Sequence, residues 1–205
     1  GEIGQNFDAY SFSMNSFGAN EAQYDKNVTI SDTSAFRLNA YANNYANHRD
    51  FSDGTGYGVN PSFKFALSDL TTLDLSFEAI DYDRSIDRGI PTDANGAPVE
   101  AFRDVVFGDP NLNKSEFESS SFRAMLQHSF SDTMKGILNF SFTDYSKLYQ
   151  NFYVSDYLDA GNANNLTLGV VDPDRVETDG YVDTTDRENL VLSANLVSEY
   201  ETGDI

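Results

Sequence analysis

The stretch Thr71-Thr72-Leu73-Asp74-Leu75-Ser76-Phe77-Glu78-Ala79-Ile80 sets Leu73, Leu75, Phe77 and Ala79 against Asp74, Ser76, Glu78 and Ile80. A period of two predicts a strand with one apolar face. The alternation lapses after Asp87, in a polar stretch carrying Asp87-Arg88-Gly89-Ile90-Pro91. It returns at Phe122, Ala124, Leu126 and Phe130 against Ser121, Arg123, Gln127 and Ser129. Ser131-Asp132-Thr133 reverses the chain, and Leu138, Phe140 and Phe142 then alternate with Asn139, Ser141 and Thr143 on the way to Phe152, with tyrosines on the polar side. Short turns at one end and long loops at the other are the asymmetry of transmembrane barrels, with periplasmic turns below and extracellular loops above. The expected class is all-β, an antiparallel transmembrane β-barrel segment of about eight strands.

Working outward, the upstream chain repeats the pattern. Tyr10, Phe12 and Met14 alternate with small polar residues, Phe17-Gly18-Ala19-Asn20 reads as a turn, and Tyr24, Lys26, Val28 and Ile30 continue to a second turn at Ser31-Asp32-Thr33. Phe36, Leu38, Ala40 and Ala42 oppose Arg37, Asn39, Tyr41 and Asn43. A glycine-rich reversal is predicted over Asp53 to Gly58, before a strand with Tyr57, Val59, Phe63, Phe65 and Leu67 on one face. Pro61 lacks the N–H a ladder needs, which predicts a bulge or an unpaired strand position. Ser68-Asp69 turns the chain into the central unit. Downstream, a last long loop is predicted over about residues 155 to 186, holding Asp172-Pro173-Asp174, Glu177, Asp179 and Asp183, before Leu190, Leu192, Ala194 and Leu196.

Composition bounds the function. The 205 residues are 40% hydrophobic with a mean hydropathy of −0.46, and no apolar run is long enough for a membrane helix. A barrel strand needs only about 9–11 residues, half of them polar. A net charge of −20 with 13 scattered Lys and Arg argues against nucleic acid, whose phosphates are held by clustered cations. The acidic residues are read as a solvated loop surface, with calcium binding by the Asp172–Asp183 region as the alternative. There is no cysteine, and His48 and His128 are the only histidines, so neither a zinc set of usual composition nor a catalytic triad is supported. Gly54-Thr55-Gly56-Tyr57-Gly58 precedes a strand rather than a helix, which removes the context of a nucleotide loop. No metal ligands, resident cofactor or enzymatic activity are expected. The twelve tyrosines and sixteen phenylalanines fit a girdle at a membrane boundary, with Tyr10, Tyr57 and Tyr200 near strand ends.

The chain resembles the barrel of a TonB-dependent siderophore receptor. Asp87-Arg88-Gly89-Ile90-Pro91 looks like that family's loop after an early barrel strand, Val59-Asn60-Pro61-Ser62-Phe63 like one of its strands, and Phe107-Gly108-Asp109-Pro110 like the later part of the same loop. Glu201-Thr202-Gly203-Asp204-Ile205 looks like a turn leading to a further strand. The resemblance implies that residues 1–205 are the N-terminal part of a barrel of about 22 strands, with plug and C-terminal strands absent. It further implies a bacterial outer-membrane location and binding and TonB-coupled uptake of a ferric siderophore. The implied partners are the siderophore, outer-membrane lipid, and the TonB complex through the missing plug. Two other readings stand beside it. One is a complete small eight-stranded outer-membrane barrel with a structural or adhesion role. The other is a soluble calcium-loaded β-sandwich with Leu73, Phe77, Phe140 and Leu192 in its core.

Parity selects the candidate ligand-binding residues. If Leu138, Phe140 and Phe142 face lipid, Tyr145, Lys147, Tyr149 and Tyr153 face the lumen; on the earlier rising strand the same argument leads through Ile80 to Tyr82 and Arg84, just below the loop with Arg88. The expected set is Tyr82, Arg84, Arg88, Tyr145, Tyr149 and Tyr153, rings for flat apolar contact and arginines for an anionic chelate. The eight strands, taken alone, are expected to form an open curved sheet rather than a closed barrel.

Overall fold

A computed structural model of the chain describes residues 1–93, 95–158, 175–200 and 203, with only the backbone of 157, 158 and 175. Eight strands form one antiparallel sheet in sequence order: β1 (Phe7–Met14), β2 (Asn20–Ser31), β3 (Ser34–Ala46), β4 (Asp53–Ser68), β5 (Thr71–Ser85), β6 (Lys114–Ser131), β7 (Met134–Leu158) and β8 (Arg175–Ser198). One turn of 3₁₀ helix, Glu100–Phe102, lies in the β5–β6 loop. No described helix is long and apolar enough to cross a membrane. Among the described residues β1 pairs with β2 alone and β8 with β7 alone, so the sheet is open and does not close into an eight-stranded barrel.

The registers bring every predicted apolar parity to one face. One cross-strand row runs Val28, Phe36, Phe63, Leu75, Ala124, Phe140, Leu192. The rings of Phe36 and Phe63 lie 4.9 Å apart and those of Phe122 and Phe140 6.1 Å apart on this face. These side chains have no layer packed on them: Leu190 and Leu192 are each 70% exposed. A sandwich would bury them, so the sandwich reading does not hold. A face that is apolar and uncovered is what a strand wall in lipid presents.

The three short turns share one end and one construction. Ser31, Ser68 and Ser131 each accept, on the side-chain oxygen, the N–H two residues on, from Thr33, Leu70 and Thr133, at 3.2–3.3 Å. Beside each, the register slips by one residue at Ile30, Leu67 and Phe130. The Ser-Asp pairs predicted as turns are thus serine-stabilised bulged turns. Pro61 pairs with Leu38 on one side, while the β4–β5 ladder skips from Val59 to Ser62, the unpaired position its missing N–H requires.

The apolar face is a belt with a slanted upper edge. On β1 it reaches Met14, whose row continues through Asn20, Asn44, Thr55, Asp83, Glu116 and Leu148 to Thr184. On β8 it ends at Leu190, six residues lower. Six residues at about 3.3 Å each against seven interstrand steps of about 4.8 Å give a slope of roughly 30°, close to the tilt of barrel strands in a bilayer. Above this edge the same face turns acidic, with Asp81, Asp83, Glu116, Glu118, Asp144, Asp186 and Glu188. The carboxylates therefore do not avoid that face, nor gather only in loops; in its lower part Asp8 stands in the row of Leu38, paired with Lys26 at 3.2 Å.

Two predicted boundaries are corrected. The glycine-rich stretch Asp53 to Gly58 is the start of β4, and the reversal is residues 47–52. The predicted loop over 155 to 186 is strand at both ends, since β7 runs to Leu158 and β8 begins at Arg175, and residues 159–174 between them lie outside the described residues. Asp172-Pro173-Asp174 and most of Glu201–Ile205 lie outside the described residues. Glu177, Asp179 and Asp183 sit on β8, where Asp179 accepts from the Tyr153 hydroxyl at 3.3 Å and Asp183 pairs with Lys147 at 2.9 Å. Among the described residues no cluster of histidines and carboxylates could hold a metal ion.

Candidate functional site

The face opposite the belt is polar, and its upper half on β5 to β8 carries the candidate residues. Cross-strand pairing aligns Tyr82, Phe117, Lys147 and Thr185 in one row, and Arg84, Ser115, Tyr149 and Asp183 in the next. Paired residues point to the same side, so Tyr82, Arg84, Tyr145, Tyr149 and Tyr153 share the face opposite the belt. Arg88 joins them from the loop.

They form two groups. In the lower one the Arg84 guanidinium lies 5.0 Å above the Tyr82 ring, Tyr82 stacks on Phe117 at 5.5 Å and 22°, Phe117 meets Tyr145 at 5.8 Å, and Arg187 sits 6.0 Å from the Tyr145 ring. In the upper one Tyr149 stacks on Tyr181 at 5.8 Å and 23°, and Tyr153 meets Tyr181 edge-on at 6.3 Å. Arg88 lies 5.1 Å over the Tyr153 ring and donates to the Tyr181 hydroxyl at 3.2 Å. The Lys147–Asp183 pair stands between the groups. Arg84, Arg88 and Arg187 have no carboxylate partner among the described residues. Hydrogen bonding to Tyr181, then to Tyr149, pushes the Arg88 pKa above its ordinary value, so it stays cationic.

Glycines make room for Arg84 and for side chains of β3. In β4, Gly54, Gly56 and Gly58 oppose Arg84, Tyr82 and Ile80. A Cβ on Gly54 would run into Arg84, one on Gly56 would press on the Asn43 side-chain oxygen at 2.9 Å, and one on Gly58 would strike the Tyr41 ring. The run expected to turn the chain instead lets neighbouring side chains lie across the strand.

The loop between β5 and β6 is pinned from three sides. Asn113, 1% exposed, donates to the carbonyls of Phe152 at 2.9 Å and Phe107 at 3.3 Å and accepts from the Phe152 N–H at 2.7 Å. Gly108, at φ +111°, leaves space beside Asn113 and the Phe152 carbonyl that a Cβ would fill. Arg49, from the β3–β4 turn, pairs with Asp87 and donates to the carbonyls of Arg103 and Val105, both at 2.7 Å. Within the loop, the N–H groups of Ala97 and Asn95 bond Asp93 and hold its carboxyl below the usual range. A hollow of about 270 Å³ remains between Arg88–Thr92 and Tyr153–Asp156. Asn151, also 1% exposed, keeps both amide atoms without a partner among the described residues.

Sequence reasoning missed Phe117, Tyr181, Arg187 and Arg49. The first three continue the spacing of two that marks the site on β7: Phe117 follows Ser121 and Ser119 upward, and Tyr181, Asp183, Thr185 and Arg187 alternate along β8. Arg49 carries no local signal, because its partners lie 38 to 56 residues away. A second hollow of about 580 Å³ lies lower on the polar face of β1 to β5, among Ser11, Gln23, Tyr41, Gly58, Glu78 and Ile80.

No protein-family model matches the chain. Solved structures of the ferric-catecholate import receptor Fiu of E. coli K12 share the fold. The closed form superposes with a TM-score of 0.68 at 21% identity, over 96% of this chain and 29% of that one. The open form gives 0.68 at 22%, over 95% and 31%. The chain thus spans under a third of the length of the structures it matches. In fold, it is a β-barrel segment similar to part of a ferric-catecholate import receptor.

Proposed function

We propose that residues 1–205 are the N-terminal part of the barrel of a bacterial outer-membrane receptor that binds a ferric siderophore and passes it to the periplasm with energy coupled through TonB. The observation that carries this is the ladder of Tyr82, Phe117, Tyr145, Tyr149, Tyr153 and Tyr181 with three guanidinium groups that have no carboxylate partner among the described residues. Stacked rings offer flat apolar area at little entropic cost, and cations over ring faces match an anionic, aromatic iron chelate. The apolar belt on the other face supports a lipid-facing wall, and the short serine turns lie at what would be the periplasmic end. The likeness in fold to an import receptor for ferric catecholates supports the same class of cargo. The role is one of binding and passage, and no step of it calls for a catalytic group.

The test uses the receptor that carries this chain and the ferric complex of 2,3-dihydroxybenzoate, followed by quenching of intrinsic fluorescence. Tyr149→Ala with Tyr153→Ala should weaken binding by about 1–3 kcal/mol, the range for aromatic side chains buried against a ligand. A folded double variant with unchanged affinity removes the ladder from the binding site.

A further inference from the structure

Arg49 lies outside the ladder, on a different turn, yet every described bond of its side chain goes to the β5–β6 loop that holds Arg88. Its guanidinium grips Asp87 through two nitrogens, with Nη2 to Oδ1 at 3.1 Å, and donates to the carbonyls of Arg103 and Val105 at 2.7 Å. The pair is sheltered, with side-chain exposures of 11% and 14%. The same Asp87 oxygen accepts the N–H of Gly89 at 2.9 Å, so the carboxylate bridges Arg49 to the residue after Arg88. Gly89 has φ +89°, a turn that only this bracing and the absence of a Cβ make favourable. Arg88 is therefore flanked by two fixed residues, and its side chain is sent across to Tyr153 and Tyr181.

The turn that presents Arg49 is itself built for the purpose. Asn47 caps the Arg49 N–H at 2.8 Å, and Phe51 takes φ +57°, a conformation a large residue adopts only where surroundings impose it. Ser52 is buried beside it. A planar guanidinium with five donors can make all four of these Arg49 side-chain bonds at once from three separate nitrogens; a lysine, with three donors on one nitrogen, cannot.

We propose that Arg49 is a positioning residue for the ligand site: through Asp87 it sets Arg88 over the Tyr153 ring, tying the β3–β4 turn to the upper group of the ladder. This rests on the ladder being the ligand site, and the experiment separates the two. Binding of the ferric 2,3-dihydroxybenzoate complex is measured for Arg88→Ala, Arg49→Ala, Arg49→Lys and the Arg49→Ala/Arg88→Ala double variant, beside amide hydrogen exchange over residues 86–92. Each alanine variant should weaken binding by about 5- to 30-fold, as loss of one charged anchor does, and the double variant no more than either single one. Arg49→Lys should recover only part of the loss, because it keeps the charge but not the fork. Exchange at Gly89 should speed by about tenfold or more in Arg49→Ala and stay near wild type in Arg88→Ala. Additive losses, wild-type binding by Arg49→Ala when Arg88→Ala is weakened, or unaltered Gly89 protection would each overturn the proposal. If wild type fails to bind the chelate, the ladder reading falls, and the exchange of Gly89 still decides whether Arg49 holds this segment.

Discussion

Asn113 shows how much a single amide can organise. It occupies the position just before β6, where the incoming loop must join the sheet, and its side chain takes the place of a main-chain ladder partner for Phe152. One buried group thus satisfies the N–H and the carbonyl of another strand and a carbonyl of its own loop. Asn113→Asp would set a carboxylate against the carbonyls of Phe152 and Phe107 and remove both donors. The expected cost is about 2–4 kcal/mol, larger than for Asn113→Ala, because the aspartate adds repulsion to the lost bonds. Urea unfolding of the receptor in vesicles measures it, and an aspartate variant at least as stable as the alanine one would refute the argument. Nothing in the local sequence Asn111-Leu112-Asn113 announces this role, since the strand partner Phe152 is 39 residues away. The Arg49–Asp87 pair was hidden in the same way. Tyr145, Tyr149 and Tyr153 were legible because strand parity is a local property; what holds the loop above them is not.

At the scale of elements, legibility followed the apolar belt. Inside the belt one face is apolar, so alternation is strong and the parity of every strand could be read correctly. Above it both faces are wet or packed on loops. The alternation then fades while the ladder goes on, which is why β7 and β8 extend far past their predicted ends and why a glycine run inside β4 looked like a turn. The same physics gives a depth-dependent prediction on one strand. Leu192→Arg, in the middle of the belt, should destabilise the folded barrel by about 2–4 kcal/mol, whereas Thr184→Arg, on the same face but above the slanted edge, should cost about 0–1 kcal/mol. Equal costs at the two sites would show that the belt edge has been placed wrongly.

For the whole molecule, the slanted belt edge amounts to a measurement of strand inclination made without reference to any membrane. Strands in the receptor, examined by polarised infrared spectroscopy in oriented bilayers, should incline by about 30–45° from the bilayer normal. Strands within about 15° of the normal would contradict it. The uneven strand lengths carry a different consequence, one of access. The wall rises from the 8 residues of β1 to the 25 of β7 and 24 of β8. Its tall side is acidic on the belt face above the belt, while the opposite face carries Arg84 and Arg187 and is met there by Arg88. On the proposed function, an anionic chelate would meet like charge on one surface of this tall rim and cations on the other, so added salt should slow its encounter with the receptor by flattening the field that steers it.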